Sequence, residues 1–192
     1  MIKTKMQLKE YLIQDAKACR RNSIHPGVFG DEIWKFQYAL RHCNYYSFRL
    51  KTNLIAYLPF IYWRFKHHYL SVKLGFSVPY SLEIGKGFSI AHYGSIVINN
   101  NAVIGDNCRI HEGVCIGSTN GDSCAPHIGN NVFIATGVKI LGNVTIADDV
   151  ALGANAVVVK DITTPKTTWG GVPARKISDN DSHSNLSKLL FN

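Results

Sequence analysis

Histidine titrates near neutrality, so a well-placed imidazole can take a proton from a hydroxyl and return it in one catalytic cycle. The chain has eight histidines, and two stand in a telling relation. His92 and His111 each follow an isoleucine, Ile90 and Ile110, that opens the second six-residue unit of consecutive turns of a repeat. The spacing predicts that they share one face, one rung apart. Glu112 could accept a hydrogen bond from a hydroxyl or orient a histidine, and packing alone is the competing reading for His111. Between Ile116 and Ile128 the repeat gives way to Gly-Ser-Thr-Asn-Gly-Asp-Ser-Cys-Ala-Pro-His. A polar loop leaving a rigid scaffold is a usual place for binding groups, with Asn120 and Asp122 as candidates. The five cysteines (Cys19, Cys43, Cys108, Cys115, Cys124) form no CxxC pair and no zinc spacing, so neither a metal site nor a cysteine nucleophile is expected.

The elements that must hold these residues follow from the period. Ile84, Ile90 and Ile96 are six apart; after a two-residue slip come Ile104, Ile110 and Ile116, then Ile128, Ile134, Ile140, Ile146, Leu152 and Val158. Four residues beyond each of the last six stands Val132, Val138, Val144, Val150, Ala156 or Ile162. A helix repeats at 3.6 and a half-buried strand at two, so neither explains six. A triangular coil of three short strands does, with about 18 residues per turn and the leading aliphatic pointing inward. One coil cannot bury its own aliphatics, so several must stack, about 4.8 Å apart.

Before the repeat the grammar is helical. Leu8, Leu12, Ala16 and Cys19 predict a helix over 5–20; Ile33, Phe36, Leu40 and Cys43 predict another over 31–50, with Asp31 as N-cap. A third, over 54–74, is expected to break at Pro59. Trp34, Tyr38, Tyr45, Phe60 and Trp63 read as core aromatics. Residues 1–75 carry 13 Lys and Arg against 4 Asp and Glu, whereas 76–192 carry 8 against 9, so the net charge of +8 belongs to the N-terminal part. No nucleic-acid recognition motif accompanies that charge. The apolar run 54–63 is about half a membrane span, and the N-terminus lacks a signal-peptide h-region. A cytoplasmic protein is expected. The run leads into Arg64, Lys66, His67 and His68, a composition suited to weak peripheral association with the inner membrane face. Packing within the helices or against a partner subunit, with the cations solvated, is the favoured reading of the same run.

The stretches IGKGFSIAHYGSIVIN, AVIGDNCRIHEGVCIG, APHIGNNVFIATGVKILGNVTI, LGANAVVVKDI and GGVPARKIS resemble the hexapeptide-repeat acyltransferases. Within them they are similar to the serine acetyltransferase-like group, which includes capsule and exopolysaccharide O-acetyltransferases. The resemblance covers residues 76–178. It implies a mainly β fold, a left-handed parallel β-helix that departs from the right-handed crossover rule, behind a small helical region. The expected division is 1–75 helical, 76–175 β-helix and 176–192 tail. It further implies a homotrimer with sites between subunits, acetyl-CoA as acyl donor, no metal, and His92 as catalytic base. The donor is expected against Gly117-Ser118 and, one coil later, Ala135-Thr136, then Gly153-Ala154, with Lys160 and Arg175 toward its phosphates. The acceptor is expected against Tyr93, His111, Glu112, Asn120 and Asp122.

The departures bear on that acceptor. Serine acetyltransferases carry Asp before the catalytic histidine and seven residues before the first hexad aliphatic, where this chain has Ala91 and Ser77. Their Arg-His pair before the later hexad is replaced by Cys124-Ala125, unless His127 substitutes from a shifted position. These losses direct the expectation to a hydroxyl of a capsule or exopolysaccharide sugar, with serine O-acetylation as the alternative. A non-catalytic β-helix scaffold is the alternative of another class.

Overall fold

A computed structural model of the chain describes residues 1–119 and 123–191. Three helices lead: α1 (Lys5–Ala18), α2 (Glu32–Arg49) and α3 (Tyr57–Leu74), the last entered through a 3-10 turn, Leu54–Ala56. A capping box starts α1, Thr4 accepting from the Gln7 backbone N–H while the Gln7 side chain reaches back. Asp31 stands at the N-cap of α2, as the sequence suggested, but its side chain does not cap the helix. It sits in the left-handed region at φ 63° without a side-chain cap bond, because its carboxylate is taken by Arg21, whose Nη1 donates to Oδ1 at 2.8 Å. Nor does Pro59 break α3. It is the third residue of the helix, in a first turn whose N–H groups have no intrahelical acceptor anyway.

From Phe76 the chain winds a parallel β-solenoid with three walls. The first stacks Phe76–Ser77, Ile96–Ile98, Cys115–Gly117, Lys139–Leu141 and Val157–Val158. The second stacks Glu83–Ile84, Val103–Ile104, His127–Ile128 and Thr145–Ile146. The third stacks Ser89–Ile90, Arg109–Ile110, Phe133–Ile134, Ala151–Leu152 and Thr168–Gly170, then closes with Arg175–Ser178 in antiparallel pairing. Hexapeptide repeats produce this because each leading aliphatic stacks on the one below: Ile90 on Ile110, Ile110 on Ile134, Ile134 on Leu152. All twelve leading residues are buried, as are Val132, Val138, Val144, Val150, Ala156 and Ile162. One register differs from expectation. Ile98, not Ile96, stacks on Ile116, while Ile96 pairs back to Phe76. The two-residue slip falls inside the first wall.

Helices and solenoid share one core, in which Phe36, Leu40, Leu70 and Leu74 join the aliphatics of the first coils. Polar clamps fix the docking. The buried pair Asp15–Arg41 closes at 2.7 Å, and Arg41 also donates to the carbonyls of Ile84 and Gly85. Asp15 accepts from the Phe88 backbone N–H. Burial pushes its carboxyl above the ordinary range, against the pull of Arg41. Gln37 accepts from the Ile90 N–H at 3.1 Å and donates to the Phe88 carbonyl at 2.8 Å. The strand that delivers His92 is therefore bonded to α2 on its open edge. Trp34 is buried, whereas Tyr38, Tyr45, Phe60 and Trp63 are half-buried.

Candidate active site

His92 lies two residues past Ile90, in the turn that leaves the third wall. Its ring meets His111 from the next coil, edge to face, with centroids 5.3 Å apart. The rungs explain the contact. Ile90 pairs with Ile110 and Ile110 with Ile134, so Ala91, His111 and Ala135 form one column and His92, Glu112 and Thr136 the next. Gly94, at φ 127°, lets the His92 turn settle on the coil beneath: a Cβ there would stand 3.1 Å from Glu112 Cβ. His92 is exposed, His111 and Glu112 are half-buried, and one ligand atom of each lies within 4.8 Å of the others.

Two neighbours set the charge of this cluster. The Thr136 hydroxyl donates to Glu112 Oε1 at 2.9 Å. The carboxyl is held below its ordinary pKa by its own backbone N–H first, then by that hydroxyl, with the two imidazoles adding to the effect. Its other oxygen, Oε2, is sealed from solvent without a hydrogen-bond partner. Arg109 Nε donates to His111 Nε2 at 3.5 Å, and burial, then Arg109, then His92 push the His111 pKa down. A neutral His111 accepting on Nε2 carries its proton on Nδ1. The result is an exposed imidazole beside an anion and a neutral imidazole, with a guanidinium on the far imidazole. The exposed ring can accept a proton, and the carboxylate can stabilise the cation that results.

The other expected residues are distributed as follows. Gly153 and Ala154 follow Ala135 and Thr136 up the third wall, since Ile134 pairs with Leu152. Gly117 and Ser118 do not lie one coil below Ala135 and Thr136. They end a strand of the first wall, where Gly117 pairs with Leu141. Ser118 accepts from Asn99 Nδ2 at 3.1 Å. Lys160 and Arg175 are exposed and line a cleft of about 280 Å³ with Trp169 and Pro173. Tyr93 turns to another cleft, shared with Arg21 and Trp34. His127 occupies the second wall, paired with Val103 and Thr145, so it does not replace a group beside His92 within this chain. Asn120 and Asp122 lie outside the described residues. Sequence reasoning missed Arg109, which the repeat marks only as an outward position next to Ile110.

The bacterial transferase hexapeptide (six repeats) family model matches residues 125–160. The fold and the repeat together define a hexapeptide-repeat β-solenoid with an N-terminal helical region. Among similar proteins, the serine acetyltransferase of Staphylococcus epidermidis is 37% identical over 126 residues, 61% of this chain and 59% of that protein. That of Synechococcus elongatus is 34% identical over 116 residues, 59% of this chain and 47% of that one. The chain thus spans about half the length of these curated relatives. Among solved structures, soybean serine acetyltransferase complexed with serine superposes with a TM-score of 0.72 at 26% identity, over 88% of this chain and 69% of that one. The Brucella abortus serine acetyltransferase, at 22% identity and a TM-score of 0.74 over 93% and 72%, shares the fold. None of these relatives is named for a capsule or polysaccharide acceptor, so that part of the expected resemblance is not supported.

Proposed function

We propose that this protein is an acetyl-CoA-dependent O-acetyltransferase that acts without a covalent enzyme intermediate, as a homotrimer. The observation that carries the reading is the exposed His92 held against Glu112 and His111 on a rigid wall. His92 takes the proton of the acceptor hydroxyl as its oxygen attacks the thioester carbonyl. The tetrahedral adduct collapses, the C–S bond breaks, and the departing thiolate receives the proton from the imidazolium. Glu112, held ionised, stabilises that imidazolium. Backbone N–H groups at a coil corner suit the oxyanion.

A small hydroxy amino acid of the serine type is the acceptor that the relatives support, in place of the sugar first expected. Arg109 suits it electrostatically, as a cation for the carboxylate of such an acceptor. Ala91, Ser77 and Cys124-Ala125, standing where serine acetyltransferases carry charged groups, favour a sugar hydroxyl as the second reading. Release of CoA thiol, measured with serine and with a panel of hexoses and nucleotide sugars, separates the two. Turnover with serine and none with sugars is expected, and the opposite result reverses the assignment. No thiol release with any hydroxyl acceptor would leave a scaffold rather than an enzyme.

A further inference from the structure

Helix α3 and the 3-10 turn before it leave an apolar stripe bare. Leu54, Leu58, Ile61, Phe65, Tyr69 and Val72 recur at steps of three and four, on one side of the helix. Leu58 is 77% exposed, Phe65 70% and Val72 72%. The opposite side is apolar too, with Leu70 and Leu74 buried in the core. A helix apolar on two opposite sides is normally covered on both, and an uncovered patch of this kind marks an interaction surface. Charge says what covers it. Residues 33–82 hold seven Lys and Arg and not one Asp or Glu. Arg41 is spent on Asp15 and Lys73 reaches Glu32 at 3.3 Å. Lys51 and Lys66 remain exposed beside the stripe, with Arg64 half-buried there. Lys66 lies over the Tyr62 ring at 4.8 Å and Arg64 over the Tyr80 ring at 4.8 Å.

We infer that this face of α3 docks on an anionic lipid surface, the apolar stripe entering the headgroup boundary and the flanking cations facing acidic headgroups. A second copy docked face to face about a two-fold axis is the poorer occupant, because it would set Lys51, Arg64 and Lys66 near their own equivalents, with no carboxylate in 33–82 to separate them. Among the described residues no helix is long and apolar enough to cross a membrane, so α3 lies along the interface. Tyr62, Trp63 and Tyr69 are the amphipathic aromatics such a position favours. The inference stands apart from the acyl-transfer chemistry.

The test is co-sedimentation of the full chain with vesicles of phosphatidylcholine alone or mixed with phosphatidylserine, at low and high salt. Binding to the mixed vesicles at low salt is expected, weakened by salt and about tenfold stronger than to phosphatidylcholine alone. Leu58→Glu and Phe65→Glu, both at exposed positions, are expected to abolish binding while leaving the thermal melt unchanged. Lys66→Gln is expected to lower it about fivefold. Failure of the wild type to bind mixed vesicles at low salt overturns the inference, as does binding that Phe65→Glu does not diminish. If instead the wild type ignores vesicles and Phe65→Glu breaks its oligomer in sedimentation velocity, the stripe is a contact between copies.

Discussion

At the scale of residues, the cluster is more informative than any member of it. His92→Ala is expected to lower kcat by about 10²–10⁴-fold with the fold intact, as loss of a general base does. Retention of more than about a third of wild-type activity would mean another group is the base. Glu112→Gln keeps the shape and the acceptor for Thr136 but removes the charge, so a fall in kcat at near-constant KM for acetyl-CoA is expected. Arg109→Gln is expected to raise the KM for a serine-type acceptor, and an unchanged KM would take Arg109 out of acceptor binding. His111→Ala is expected to impair turnover more than His127→Ala, because His127 stands on another wall; steady-state rates with saturating acetyl-CoA decide this. The His92–His111 contact was legible in the sequence, since a six-residue period fixes which side chains share a rung. Arg109 was not legible: an outward position beside a core isoleucine looks alike whether it meets water or a neighbouring imidazole. The relation between Gly117-Ser118 and Ala135-Thr136 was misread because a turn of 18 residues had been assumed. The coil that contains the loop 118–126 is longer, so Ile116 stacks on Ile140 rather than on Ile134.

At the scale of elements, the solenoid and the extents of the three helices were read almost completely, and the bonding at one helix start was not. A stacked coil places every leading aliphatic in the same environment, so twelve repeats of one signal reinforce each other. A helix end turns on a single local competition, and at Asp31 the competitor was Arg21, ten residues away in sequence. The helical region also contains two histidines whose protonation opposes folding. Burial holds His42 at a pKa of about 4 and His67 at about 4. His42 stacks on Trp63 at 4.2 Å with Nδ1 donating to the Tyr38 carbonyl; His67 packs against Phe36 at 5.1 Å. The unfolded chain, with ordinary imidazoles, binds more protons between about pH 6.5 and pH 4, so stability falls as pH falls through that window. Each histidine contributes up to about 3 kcal/mol to that loss, less where solvent reaches the ring. Thermal melts from about pH 7 to about pH 4.5 are expected to show a declining Tm, with a shallower decline in His67→Phe. A Tm flat across the window would show that neither histidine is sealed as the structure has it.

At the scale of the whole molecule, one chain leaves the residues of the proposed site divided. His92, Glu112, Thr136 and Gly153 stand on the third wall, whereas Gly117, Ser118 and Lys160 stand at the end of the first. One pantetheine arm running along a single wall cannot touch both sets, and His92 is open to water on its outer side. In the proposed trimer cyclic symmetry would resolve this, because head-to-tail contacts bring unlike walls of neighbouring copies face to face. Each site would then take its base from one chain and its small-residue wall from the next. Two inactive variants can test the arrangement: His92→Ala removes the base, and Ser118→Trp fills the opposite wall. Each homo-oligomer is expected to be inactive. Coexpressed in equal amounts they mix at random, and about a quarter of the interfaces join an intact base to an intact wall. Activity near a quarter of wild type is therefore expected from the mixture, with a sedimentation mass near three times the 21.4 kDa chain. If the mixture stays as inactive as its components, each site is built within one chain.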